Sequence, residues 1–164
     1  MSLLDKEPVK RAKKALRDFD PKLNVVILEE TARTAIEAAN SLKCEIGAIV
    51  KSLLFKTESN FILCLVAGDK RCSLNKLKKI TQIKDISMAT PEEVKNQTGY
   101  TIGGVSPVEN NKKIEILIDN SLERFIDLYA AAGHPNCIFK INFKNIQKIT
   151  NGKFKEIIEW DNQK

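Results

Sequence analysis

Short runs rich in valine and isoleucine alternate along this chain with segments of helical periodicity, and this alternation restricts the fold most strongly. Helical spacing and N-terminal caps predict helices at 6–19, 31–42, 73–80, 90–98 and 142–149. Strand-like runs lie at 24–28, 49–56, 61–67, 113–119, 128–132, 136–141 and 154–158. About seven short strands interleaved with helices predict an α/β (α+β) fold, in which helices flank a curved, mixed β-sheet or a partly open barrel.

Length and composition are those of an ordinary globular domain. With 164 residues, 43% of them hydrophobic, we expect one domain over 1–164 that begins with a basic helix in 1–22. No stretch resembles a signal peptide or a membrane span, so we expect a cytoplasmic protein without membrane contact. The four cysteines and one histidine show no metal-binding or disulfide spacing, and we expect no metal and no cofactor.

Basic residues give the chain a net charge of +6, which favours binding to phosphate backbones. The first helix carries a basic face, with a solvated surface as the alternative interpretation: Lys10, Lys13, Lys14 and Arg17. A second basic group follows the strand at 61–67: Lys70, Arg71, Lys76, Lys78 and Lys79. Both groups are candidate contacts for nucleic acid.

No residue pattern typical of a catalytic triad or a metal hydrolase is present, because His134 is the single histidine and lies near no nucleophile motif. Lys51 interrupts an apolar strand, where a buried amine needs an anionic partner or water; an outward-facing lysine is the alternative. Gly103 and Gly104 lie in a loop at 100–107 and allow backbone N–H groups to approach a ligand. A tight structural turn is the alternative for this glycine pair.

Five segments of the chain form a recognisable series: Thr31–Ala35, Ile49–Leu53, Ala67–Arg71, Gly99–Pro107 and Ala132–Pro135. In order and spacing they resemble the YbaK-type aminoacyl-tRNA deacylase family. The resemblance covers roughly residues 25 to 158, as far as the order and spacing of these motifs extend. The family includes the editing domain inserted in bacterial prolyl-tRNA synthetases and its free-standing relatives.

The resemblance implies a trans-editing enzyme that hydrolyses the ester of a mischarged tRNA, with aminoacylated tRNA(Pro) as substrate and prolyl-tRNA synthetase as a candidate partner. It implies catalytic roles for Lys51, Gly103 and Gly104, with Lys51 holding the terminal adenosine or its phosphate. The implied substrate-binding residues are Thr31, Ser52, Ile102, Ser106, Pro107, Gly133, His134 and Pro135. Those implied for tRNA binding are Lys10, Lys13, Lys14, Arg17, Lys70 and Arg71.

The amino acid removed is less closely defined than the reaction. Alanine is the first expectation, with cysteine, serine and threonine as competitors. Many relatives carry a small residue or glycine after the Ser-Pro pair, whereas this chain continues with Val108, Glu109, Asn110 and Asn111, which alters the pocket rim. Two other functions stay open: a non-catalytic tRNA-binding module of the same fold, and a general nucleic-acid-binding protein. The oligomeric state is not predicted.

Overall fold

Five α-helices occur in the part of the chain that the computed structural model describes, residues 2–30 and 32–160. They are α1 (Glu7–Phe19), α2 (Ala35–Leu42), α3 (Leu74–Thr81), α4 (Pro91–Thr98) and α5 (Phe143–Thr150). All five helices predicted from the sequence are confirmed. No helix in these residues combines the length and the apolar character that crossing a membrane requires.

Helices α2 to α5 each begin with a side-chain cap, whereas Lys6 before α1 makes no such hydrogen bond. At α4, the Thr90 hydroxyl accepts from the Glu93 N–H at 3.1 Å and the Glu93 carboxylate accepts from the Thr90 N–H at 2.9 Å. Helix α2 begins with the same reciprocal pair, formed by Thr34 and Glu37. The predicted cap at Thr31 is therefore wrong, because Glu37 stands three residues after Thr34; Thr31 itself lies outside the described residues.

Ten strands are found in the described residues, and they form three sheets. The strands are β1 (Val25–Ile27), β2 (Val50–Lys56), β3 (Phe61–Ala67), β4 (Arg71–Cys72), β5 (Ser87–Met88), β6 (Glu115–Asp119), β7 (Leu128–His134), β8 (Cys137–Ile141), β9 (Lys153–Lys155) and β10 (Ile158–Glu159). The largest sheet has the order β5-β2-β3-β6-β9 and mixes antiparallel with parallel pairs. The other sheets are β1-β8-β7 and β10-β4, both antiparallel. The predicted mixed sheet with flanking helices is confirmed.

The strand count exceeds the sequence prediction because the extra strands are very short. β4 and β5 have two residues each, too few to show alternation. The predicted strand at 154–158 is divided into β9 and β10. Strand β7 extends to His134, with a register shift between Ala131 and His134 where the sequence predicted a turn.

Strand β3 lies at the centre of the core and is buried on both faces. Leu63 and Leu65 belong to the larger apolar cluster, which includes residues of α1, β2, β7 and β8. The alternate residues Cys64 and Val66 belong to a second cluster that includes Leu77 of α3. Because β2 pairs with β3 along its full length, the two strands form a rigid base for what lies on the outer edge of β2.

Asp119 joins the end of β6 to the C-terminal segment. Its side chain is 1% exposed, and its two carboxylate oxygens accept from the Ser121 N–H at 2.8 Å and the Ile157 N–H at 2.7 Å. Removing the carboxylate would leave both buried N–H groups without a partner.

Replacing Asp119 with alanine is expected to lower the free energy of unfolding by about 2–4 kcal/mol, since each unpartnered buried donor costs about 1–3 kcal/mol. Urea denaturation measures this change. The exposed Asp85 provides the control, whose alanine variant should stay within about 0.5 kcal/mol of wild type. A D119A protein as stable as D85A would contradict the anchoring role.

Candidate active site

Strand β2 leaves part of one edge without a partner strand in the described residues. β3 pairs with it from Val50 to Lys56, whereas β5 on the other edge pairs only with Phe55 and Lys56. Apart from a single parallel bridge between Ile49 and Tyr129 at its start, the first half of β2 is therefore an open sheet edge inside the fold.

Backbone hydrogen bonds identify which groups point to this open edge. The Gly68 N–H donates to the Ile49 carbonyl at 2.7 Å and the Thr57 N–H to the Asn60 carbonyl at 2.8 Å, so the odd-numbered residues bond towards β3. In antiparallel pairing the alternate residues point their N–H and C=O the other way. The Leu54 carbonyl does so, accepting from the Ala89 N–H at 3.0 Å. The backbone N–H and C=O of Ser52 therefore point to the open edge.

A cavity of about 400 Å³ lies against this edge, a volume within the range of small-molecule sites. Its walls come from β2, the start of α2, the loop after α4, and strands β7 and β8. Five alanines give it a largely apolar lining: Ala32, Ala35, Ala38, Ala89 and Ala131. The exposed side chains of Met88 and Ile102 line the same cavity.

Further unpartnered polar groups lie at residues that line the cavity. The Ser52 hydroxyl is buried and has no hydrogen-bond partner among the described residues. Gly103 adopts φ +95°, and its N–H donates to no group in residues 2–30 and 32–160. The next N–H, of Gly104, is already used by the Thr101 carbonyl at 2.9 Å. Of the two glycines, only Gly103 offers a free backbone donor to a ligand.

Gly104 and Gly133 allow two backbones to cross closely behind the cavity. The Gly133 N–H donates to the Gly104 carbonyl at 3.1 Å. A Cβ on Gly104 would lie 2.9 Å from the His134 Cα, and one on Gly133 would lie 2.7 Å from the Pro8 carbonyl oxygen. These contacts fix the loop against β7 and α1, and thereby fix the position of Gly103.

The structure divides the substrate-site residues implied by the resemblance. Those that line the cavity are Lys51, Ser52, Ile102, Gly103 and Pro135. Those that do not line it are Gly104, Ser106, Pro107, Gly133 and His134. In this second set Ser106 and Pro107 are buried and the two glycines serve the backbone crossing, so substrate contact by these residues stays a prediction. Thr31 lies outside the described residues.

The side chain of His134 makes a hydrogen bond within the turn that this residue begins. Its Nδ1 accepts from the Asn136 N–H at 3.1 Å. Burial, followed by the nearby charges of Lys6 and Arg33, lowers the pKa of His134 below its ordinary value. A neutral imidazole that already accepts from the backbone organises the turn between β7 and β8.

Lys51 carries a positive charge that no carboxylate of the described residues neutralises by an ion pair. Its ammonium donates to the Lys70 backbone carbonyl. Asp69, whose charge acts on Lys51, is held by Arg124 through two hydrogen bonds of 2.8 and 3.0 Å. Burial lowers the pKa of Lys51 below its ordinary value, partly opposed by Asp69. The structure thus leaves a half-buried cation available to an anionic ligand at the cavity.

Sequence reasoning missed the pair that supports the glycine loop. Tyr100 is fully buried, and its hydroxyl donates to the Val108 carbonyl at 2.8 Å. The Arg11 guanidinium lies 4.5 Å from the Tyr100 ring centre and donates to the Thr98 carbonyl at 3.0 Å. Only the tyrosine inside a glycine-rich stretch gave a signal, since its distant partner Arg11 is not visible in a linear pattern. The pair fixes both ends of the loop to α1.

The candidate tRNA-binding residues lie in two groups. Four of them line one shallow cleft along α1, of about 550 Å³: Lys10, Lys13, Lys14 and Arg17. Lys14 in this cleft pairs with Asp18 at 2.7 Å. Lys70 and Arg71 lie instead after β3, beside Lys51. Arg33, to which the sequence gave no role, adds a further exposed cation at the cavity.

The mixed α+β fold, the open edge of β2 and the glycine loop together define an aminoacyl-tRNA editing domain. The model of the aminoacyl-tRNA editing domain family matches residues 29–149, and the chain belongs to this family. The resemblance drawn from the five sequence segments is confirmed.

Relatives include a proposed trans-editing enzyme for prolyl-tRNA synthetase, whose crystal structure has a TM-score of 0.89 and 35% identity and covers 94% of this chain and 99% of its own. The proline–tRNA ligase of Kosmotoga olearia is 36% identical over 73% of this chain. The chain spans only 19% of that ligase and 24% of the Bacillus subtilis ligase. The uncharacterised YwhH protein of Bacillus subtilis is 30% identical, over 79% of this chain and 83% of its own length.

Replacing Ser52 with alanine is expected to leave the free energy of unfolding equal to wild type or raise it by up to about 1 kcal/mol, because an unpartnered buried hydroxyl gives no net stabilisation. Chemical denaturation tests this expectation. Thr98 provides a matched control, since its buried hydroxyl donates to the Val94 carbonyl at 2.7 Å and its loss should destabilise. A loss of more than about 1 kcal/mol in S52A would show that the Ser52 hydroxyl has a partner within the fold.

Proposed function

We propose that this chain is a trans-editing deacylase that hydrolyses the ester of a mischarged tRNA, with residues 1–164 acting as one domain. The observation that carries the proposal is that Lys51, Ser52 and Gly103 line one cavity. A cation, a hydroxyl and a free backbone donor suit the end of a charged tRNA, which presents phosphate, ribose and an ester carbonyl. The likeness to a proposed trans-editing enzyme over 99% of that chain supports the same conclusion.

The reaction needs few protein groups because the aminoacyl ester is already an activated bond. The ester carbonyl lies in the cavity with its oxygen at the Gly103 N–H, which stabilises the negative charge that develops on that oxygen. Water adds to the carbonyl carbon, the bond to the ribose oxygen breaks, and free amino acid and uncharged tRNA leave. Lys51 holds the terminal adenosine through its phosphate and so positions the ester.

Residues lining the cavity in the described chain include no Asp, Glu, His or Cys. A side-chain general base is therefore absent from the proposed mechanism. The vicinal ribose hydroxyl of the substrate, or the water itself, takes the role of the general base. The catalytic group is the Gly103 N–H, and Lys51 is the positioning cation. Gly104 contributes indirectly, because it fixes the shape of the loop.

Alanine is the proposed amino acid. The five-alanine lining favours an apolar side chain and offers few partners for a hydroxyl. A hydrophobic pocket discriminates against an added hydroxyl only weakly, by about 100-fold, so serine, cysteine and threonine are slower competitors. The proposed adapter is tRNA(Pro), in keeping with the proline–tRNA ligases among the relatives, and prolyl-tRNA synthetase is the proposed partner. The basic cleft of α1 contacts the tRNA backbone in this proposal.

Replacing Lys51 with alanine should reduce kcat/KM for alanyl-tRNA(Pro) by about 100-fold or more, because the ester loses its positioning contact. The assay follows ester loss from tRNA charged with alanine, serine, cysteine, threonine or proline, at enzyme concentrations far below substrate. The exposed Lys148 gives the matched control, whose alanine variant should match wild type.

A K51A protein with wild-type turnover would remove Lys51 from the mechanism. If wild type binds tRNA(Pro) but releases no amino acid, the chain is a non-catalytic tRNA-binding module. Equal affinity for tRNA and for unrelated duplexes at moderate salt, again without turnover, would indicate a general nucleic-acid-binding protein.

A further inference from the structure

Trp160 is the one tryptophan of the chain, and half of its surface is exposed. It lies beyond residues 29–149, the part that the editing-domain family matches. An exposed indole adds little to the core, yet its flat face is well suited to stacking on a nucleobase.

The segment that carries Trp160 is firmly held. β10 pairs with β4, with Ile158 opposite Cys72 and Glu159 opposite Arg71. The Lys76 ammonium donates to the Ile158 carbonyl at 2.8 Å. Upstream, the Ser73 N–H donates to the Ile157 carbonyl at 2.7 Å. Trp160 therefore has a defined position next to β4.

Contacts connect Trp160 to the cavity in two steps. The Lys70 ammonium lies 4.6 Å from the centre of the Trp160 ring. The Lys70 carbonyl accepts from the ammonium of Lys51, which lines the cavity. The indole is thus connected through Lys70 to Lys51, which lines the cavity of the proposed ester site.

The charge of this surface suits an RNA strand. Lys51 and Lys70 are not ion-paired to a carboxylate among the described residues, while Arg71 faces Glu159 across the β4–β10 pair. A net positive surface beside an exposed aromatic ring is the arrangement with which proteins hold unpaired nucleotides.

We infer that Trp160 and Lys70 form a stacking platform for an unpaired nucleobase of the tRNA 3′ end, one or two nucleotides before the terminal adenosine. This inference rests on the proposed function and extends it by a contact outside the family region. The base stacks on the indole, its phosphate faces Lys70, and the following nucleotide passes Lys51 into the cavity.

Fluorescence of Trp160 tests the platform directly, because no other tryptophan contributes to the signal. Titration of the wild-type chain with the trinucleotide CCA should quench the emission in a saturable manner. Replacing Lys70 with alanine should weaken the apparent affinity by about fivefold or more, whereas K148A should behave as wild type. An emission that CCA leaves unchanged would overturn the platform.

Kinetics provide the second test, with the variants Trp160→Phe and Trp160→Leu. Loss of one base stack should raise the KM of the leucine variant for alanyl-tRNA(Pro) about tenfold, while phenylalanine retains most of the affinity. Thermal unfolding shows whether both variants fold as wild type does. Equal KM values for wild type and W160L would overturn the platform alone. Absence of turnover by wild type would instead overturn the proposed function, and CCA quenching would still decide the platform.

Discussion

The open edge of β2 is the constraint on which the site depends. β3 holds one side of β2 along its whole length, and β5 closes only Phe55 and Lys56 on the other. Unpaired backbone groups inside a fold need a partner, and here they face a cavity rather than another strand. A third strand extended along this edge would fill the cavity and remove the site.

The loop that contains Gly103 and Gly104 forms another wall of the cavity, and contacts on the side away from the cavity fix its shape. Gly104 crosses Gly133 at a distance that no side chain allows, and Tyr100 with Arg11 ties the loop to α1. In this loop the Gly103 N–H stays available to a ligand, and β2, with Ser52 and Lys51, lines the same cavity. Such a site is preorganised by backbone contacts and by the Lys51 cation, and it suits a substrate whose ester bond is already reactive.

Local signals in the sequence predicted the helices, the long strands and the glycine loop. Thr90 and Glu93 predict the start of α4 because a capping box spans only three residues along the chain. Lys51 is a candidate site residue because a charged side chain within an apolar strand is rare. Ser106, Pro107 and His134 do not line the cavity, and the sequence could not show this because a motif does not reveal which of its residues face a ligand. The Arg11–Tyr100 contact and the two-residue strands depend on tertiary packing. Tertiary packing produces no hydrophobic periodicity in the sequence from which they could be predicted.

The central claim is that an aminoacyl adenosine lies between β2 and the glycine loop. Amide NMR spectra recorded with 3′-alanylamino-3′-deoxyadenosine, in which a stable amide replaces the ester, test it most directly. The account predicts large, saturable shifts of the Ser52 and Gly103 amide signals, and a much smaller shift for Gly104, whose N–H is already bonded to Thr101. Shifts confined to α1, with Ser52 and Gly103 unmoved at saturation, would contradict it.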